Sequence, residues 1–226
     1  MPKRKLIIRK QRPKSTGVLT VKQAKQVKKI AKETTLALAE TKVFSFRKEN
    51  NQLFHNKPVY LNNWLECGQG TADDNDGSAN RLVRIGDEIL LRNINVRLWL
   101  SNKLDRPNVM YKAALFWYDS TATVGDPLVY FTQTNKMLDR YNNEQISIID
   151  QKTLFSGSQY VDKEHSYLMT LNANWKAKKI VYDEGGSVPK KRNIGLVIVC
   201  YDAYGTLQTD NIASYAYDGI IQFKDI

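Results

Sequence analysis

No acidic residue occurs before Glu33, yet twelve basic ones do: Lys3, Arg4, Lys5, Arg9, Lys10, Arg12, Lys14, Lys22, Lys25, Lys28, Lys29 and Lys32. The first twenty residues of this segment cannot bury enough apolar surface to offset their ordering entropy. The fold must be built from the residues beyond it. Of the 34 Lys and Arg in the 226-residue chain, the 22 beyond position 32 meet 23 Asp and Glu, so a near-neutral body carries a cationic arm. Such an arm neutralises a polyanion by counterion release, a term that scales with the phosphates contacted and needs no sequence readout. The twelve cations are therefore the expected nucleic-acid-binding residues.

Within the arm (1–40), Pro2, Pro13 and Gly17 among basic residues predict disorder over 1–19. From Thr20 the pattern changes. Thr20 and Gln23 form a capping box, Val21, Ala24, Val27, Ile30 and Ala31 recur at helical spacing, and Lys22, Lys25, Lys29 and Lys32 occupy a second face. This predicts a basic amphipathic helix at about 20–39. Its lysines are read as lacking acidic i, i+4 partners, which favours a helix laid on nucleic acid over a merely solvated one. Lys3, Arg4 and Lys5 after Pro2 are also candidates for a nuclear import signal.

Beyond position 40 the period becomes two. Ile94, Val96, Leu98 and Leu100 alternate with Asn93, Asn95, Arg97 and Trp99, a strand with one buried face, and a bulge is expected near Arg92. Strands are also expected at 43–46, 59–61, 110–118, 146–154, 167–175, 180–182, 194–201 and 215–223. The 110–118 strand is apolar on both faces and hence central. Long connections at 66–80, 119–144 and 183–192 replace the tight turns of a meander and favour Greek-key crossovers. The expected fold of 41–226 is all-β, an eight-stranded single jelly roll of two packed antiparallel sheets.

Sites for chemistry are few. Cys67 and Cys200 are far apart and in no metal-ligand spacing, so neither a disulfide framework nor a zinc site is expected, and a reducing compartment is the default. No signal-peptide-length apolar stretch follows the basic start, no run is long enough to span a bilayer, and no Asn-x-Ser/Thr sequon occurs, so an intracellular protein without membrane insertion is expected. Asp73, Asp74 and Asp76 before Gly77 form an oxygen-rich patch, but Arg84 stands where a calcium loop needs its Glu, so a solvated acidic loop is the expectation. His55 and His165 are the only histidines. No nucleophile elbow, Walker loop or dinucleotide fingerprint occurs, and Gly185-Gly186-Ser187 reads as a turn. The chain is expected to be no enzyme and to hold no metal or cofactor. Phe54, Tyr60 and Trp64, with Arg47 and Lys48 just before them, could stack unpaired bases, though packing is the preferred reading.

Three stretches, in order behind the arm, carry a family resemblance: Glu40-Thr41-Lys42-Val43-Phe44; Arg84-Ile85-Gly86-Asp87-Glu88-Ile89 followed by Leu91-Arg92-Asn93-Ile94; and Ile148-Ile149-Asp150-Gln151-Lys152-Thr153-Leu154-Phe155. They resemble capsid proteins of small circular, Rep-encoding single-stranded DNA viruses, whose single jelly roll is similar to that of satellite plant virus coat proteins. The resemblance implies an icosahedral shell of sixty copies with the arms inside against a single-stranded genome, DNA before RNA. It also implies residence in the virion, passage through the host nucleus during assembly, and partners in a host import receptor and a cell-surface receptor. Sixty arms would pool roughly 700 positive charges against the genome. Two other classes compete: a non-viral nucleic-acid-binding protein with a basic tail, which calls for a basic face on the body, and a carbohydrate-binding or cupin-like domain, which calls for a polar pocket or a histidine cluster.

Overall fold

The computed structural model describes residues 19–39, 41–70, 83–155, 165–204 and 207–225. The chain divides into two units, Met1–Ala39 and Glu40–Ile226. Residues 1–18 of the segment expected to be disordered (1–19), the import candidate Lys3-Arg4-Lys5 and the acidic patch Asp73, Asp74 and Asp76 lie outside the described residues. The first unit contains α1 (Val21–Leu38). The body runs β1 (Thr41–Phe54), β2 (Val59–Leu61), β3 (Gly68–Gln69), β4 (Val83–Arg84), β5 (Glu88–Asn102), β6 (Val109–Asp119), α2 (Asp126–Val129), β7 (Ser147–Phe155), β8 (Ser166–Val181), β9 (Arg192–Asp202) and β10 (Asn211–Asp225).

Alternation in β5 sets the architecture. Ile94, Val96, Leu98 and Leu100 are fully buried, while Arg97 and Trp99 are exposed on the opposite face. Apolar faces of this kind must pack on one another, and they do so between two four-stranded antiparallel sheets, ordered β1-β10-β5-β8 and β2-β9-β6-β7. Among these eight strands the chain changes sheet at every connection except β6 to β7. That is the jelly roll expected from the long crossovers. The inner face of the second sheet supplies Tyr111, Ala113, Leu115 and Trp117 from β6 and Ile194, Leu196, Ile198 and Cys200 from β9.

The strands depart from the sequence reading at β8, at β1 and at the pair β3–β4. The segments 167–175 and 180–182 are expected as two strands, but β8 covers nearly all of both, and Tyr182 makes only an isolated bridge to Pro189. Asn174 and Lys178 pair with Asn93 and Leu91, so β8 bulges there and the polar run 176–179 breaks the alternation. The bulge expected near Arg92 is present on β5, and the Arg92 guanidinium donates to the Lys176 carbonyl, joining the two irregularities. The first strand, expected at 43–46, runs to Phe54 through a bulge where Asn50 adopts φ 55°. The parallel pair β3–β4, two residues in each strand, is too short to leave a periodic signal. The 119–144 connection is a folded cover: Val129, Tyr130, Tyr141 and Ile146 pack on Ala114, Phe116, Tyr118, Val197 and Val199. With both faces covered, β6 and β9 carry continuous apolar runs.

A close approach on the first sheet fixes one more position. The Phe46 ring lies directly over Gly219, its cross-strand partner, and packs 4.4 Å from Trp64. A side chain at Gly219 would overlap that ring. Gly219→Ala is expected to lower stability by about 1–3 kcal/mol, read as a fall in the urea midpoint, and adding Phe46→Leu should recover part of the loss. An unchanged midpoint would contradict this packing.

Candidate nucleic-acid arm and the surfaces of the body

Helix α1 begins as its sequence directs. The Thr20 hydroxyl accepts from the Gln23 N–H at 3.3 Å, and the Gln23 side chain accepts from the Thr20 N–H at 3.0 Å, closing the capping box. At 3.6 residues per turn, Lys22, Lys25, Lys28 and Lys29 fall within an arc of roughly 120°, and all four are exposed. Lys22 stands in the first turn, where the helix macrodipole favours an anion, and no acidic residue occupies that turn. One expectation is corrected: Lys29 has an i, i+4 partner, Glu33, at 3.9 Å. Both side chains are highly exposed, so the pair contributes little, and the stripe stays cationic. Lys32 lies in α1 as well; the other seven arm cations precede the described residues.

The residues weighed as a stacking site are occupied by packing. Trp64 is only 6% exposed and lies against Phe46 and Tyr217. The Tyr60 hydroxyl donates to Asp126, and burial followed by that carboxylate pushes its pKa far up. Lys57 sits over the Phe54 ring at 5.4 Å. Arg47 and Lys48 are exposed on β1, but no free aromatic ring from this trio faces them.

The motif residues prove structural as well. Arg84 is fully buried, and its guanidinium donates to the carbonyls of Gly86, Asp183 (3.2 Å) and Gly186 (2.5 Å), beneath the Tyr182 ring at 4.3 Å. Gly86, at φ 78°, makes the left-handed turn that brings its carbonyl round. Arg84 thereby clasps the 183–186 turn to the entry of β5. Lys112 on β6 departs from the apolar reading of that strand; its stem is buried and its amine donates to the Asp139 carbonyl at 2.6 Å and the Lys136 carbonyl at 3.2 Å. Burial pulls its pKa down. Asp139 works the other way: burial opposes its charge, but N–H groups of Thr132, Gln133 and Arg140 outweigh that and hold its pKa low.

His55 and His165 are not brought together, and no group of three or more His, Cys, Asp or Glu among the described residues could hold a metal. Cys67 and Cys200 are buried free thiols. No described helix is long and apolar enough to cross a membrane.

Two surface features escaped the sequence reading. On the outer face of the first sheet, Trp99 (54% exposed) pairs across strands with Leu168 (61% exposed) in a shallow cleft lined also by Arg47, Glu49, Arg97 and Asp218. Elsewhere, Lys178 and Lys179 of β8 meet Lys190, Lys191 and Arg192 around a cleft of about 450 Å³ lined also by Trp117, Ile180, Val181 and Pro189. Its signal was present in the runs 176–179 and 190–192, but net charge averaged over the body concealed it.

No family model matches the sequence, and no curated protein matches it. Among solved structures the chain is similar to the infectious bursal disease virus VP2 subviral particle, at 10% identity and TM-score 0.29, over 82% of this chain and 33% of that one. It is similar too to the T13 particle of IBDV, at 8% identity and TM-score 0.25, over 83% and 40%. The chain thus spans between a third and two fifths of those structures. Scores this low carry no argument about function, which rests on the residues described above.

His55 generates a pH prediction. It is 5% exposed, its Nδ1 accepts from the Asp202 N–H at 3.1 Å, and its ring lies 4.5 Å from Tyr201. Burial lowers its pKa below the ordinary 6.5, with Asp202 and Asp210 opposing and Arg106 assisting. A lowered folded pKa means the unfolded chain binds the proton first. Its stabilising contribution is complete above pH 6.5 and is lost as pH falls through the folded pKa. Urea unfolding should show stability declining below about pH 6.5, and the decline should be shallower in His55→Gln. Parallel pH profiles for the two proteins would contradict the assignment.

Proposed function

We propose that this chain is a viral capsid protein that self-assembles into a small icosahedral shell of sixty copies and packages a single-stranded genome, DNA before RNA, through its cationic arm. The observation that carries the reading is a conjunction: an acid-free stretch of 32 residues holding twelve cations stands ahead of an eight-stranded jelly roll. Shell closure needs several distinct faces on one subunit. The exposed Trp99–Leu168 pair and the exposed Phe131 and Leu138 of the 119–146 cover are apolar surface of the kind that contacts between copies bury. In this reading, Lys3, Arg4 and Lys5 address the chain to the host nucleus before assembly, and the exposed rim of the 119–146 cover meets a cell-surface receptor.

A solitary nucleic-acid-binding module is the second reading. It is favoured by one observation, the basic cleft on the body, because such a module calls for a basic face. The two readings separate on assembly. A carbohydrate-binding or cupin-like domain gains no support from the cleft, whose rim is cationic and whose floor is apolar.

The arm's task has a direct test. Replacing all twelve arm cations by Gln should leave the body folded and reduce encapsidated nucleic acid to background, measured by absorbance of purified particles. Changing only Lys22, Lys25, Lys28 and Lys29 should flatten the dependence of log affinity on log salt by as much as about 3, at roughly 0.7 for each phosphate no longer neutralised. Undiminished packaging by the twelve-fold variant would overturn the arm's role.

A further inference from the structure

We propose that the body carries its own contact for single-stranded nucleic acid, a cleft at the mouth of the sandwich that takes one base and its flanking phosphates, independent of the arm. The inference rests on the reading of this chain as a nucleic-acid binder and adds a site within the folded unit. Lys178 and Lys179 approach from the first sheet, and Lys190, Lys191 and Arg192 from the strand entering the second. Each group has a local explanation alone, but they converge on one cavity.

Lysines on β8 protect an edge strand, since β8 ends its sheet order and edge cations discourage pairing with other chains. That accounts for one side of the cleft only. Arg192 opens β9 in the other sheet, where it pairs with Asp119 of β6 before β2 joins at Leu196, so protection of the β8 edge does not account for it. Lys179 is paired with Glu88 at 2.5 Å and Lys190 with Asp183 at 2.7 Å. Lys178, Lys191 and Arg192 form no ion pair among the described residues. Lys178 and Lys191 thus bring to the cavity charge that the fold does not neutralise, while Arg192 stands opposite Asp119 on β6 and helps keep that carboxylate charged.

The floor decides the class of polyanion. Trp117, Ile180 and Pro189 line it, and the Lys178 amine lies 5.7 Å from the Trp117 ring. A cleft of about 450 Å³ accommodates a planar base against apolar surface, and Lys191 and Arg192 of its lining supply cations for the flanking phosphates. A sulfated glycan would use the rim but gain nothing from the apolar floor. A single strand uses both. Base–surface packing with backbone neutralisation is the general pattern of single-strand binding without sequence preference.

The test uses the full chain, because arm and cleft are separable by location. A short oligothymidylate carrying bromodeoxyuridine is photocrosslinked to the protein and the adducts are mapped by mass spectrometry. Adducts are expected both in arm peptides and in peptides containing Trp117 or 178–192. In Lys178→Gln/Lys191→Gln/Arg192→Gln the cleft adducts should fall at least tenfold while the arm adducts persist. Adducts confined to the arm in the wild-type chain would overturn the proposal. So would a sulfated disaccharide that shields Lys178 and Lys191 from acetylation where the oligothymidylate does not. Cleft adducts on a chain that never assembles would keep the site and remove the shell reading, so the two failures are distinguishable.

Discussion

The register of β5 is the constraint on which the rest depends. This strand pairs with β10 on one side and β8 on the other, and its buried side chains alternate without exception from Ile94 to Leu100. A slip of one residue would turn all four buried side chains to solvent and bring Arg97 and Trp99 inward, so one register dominates. Burying each of these side chains stabilises the sandwich by about 1.5–3 kcal/mol. Past the paired bulges at Arg92 and 174–178, Lys178 lines the same cleft as Arg192 at the start of β9.

Charge is sorted by how each cation is accommodated. Arg84, Lys112 and Lys136 are buried because backbone carbonyls accept their protons, and aromatic rings lie over the first two. Lys136 has in addition the Asp126 carboxylate at 3.2 Å. These cations serve the fold. Lys22, Lys25 and Lys28 of α1 are exposed, and Lys178 and Lys191 at the Trp117 cleft form no ion pair among the described residues, so their charge remains available to a partner.

The sandwich was legible in the sequence because its signal is local. Alternation marked β5, continuous apolar runs marked β6 and β9, and the Thr20–Gln23 box marked the helix start. Where the signal was lost, a local pattern had been interrupted by geometry. The β8 bulge split one strand into two, and the positive φ at Asn50 hid the second half of β1. Tertiary contact was less readable still. Trp64 and Tyr60 follow Arg47 and Lys48 in sequence but are committed to Phe46 and Asp126, partners that only the folded chain supplies. The cleft was hidden for the converse reason, since two ordinary basic runs acquire meaning only when two sheets bring them together.

The most direct measurement of the central claim is negative-stain electron microscopy of the purified chain, paired with the ratio of nucleic-acid to protein absorbance in whatever sediments. A shell protein that condenses a genome gives uniform closed particles carrying nucleic-acid absorbance. A monodisperse monomer that stays small across salt and pH would contradict the account.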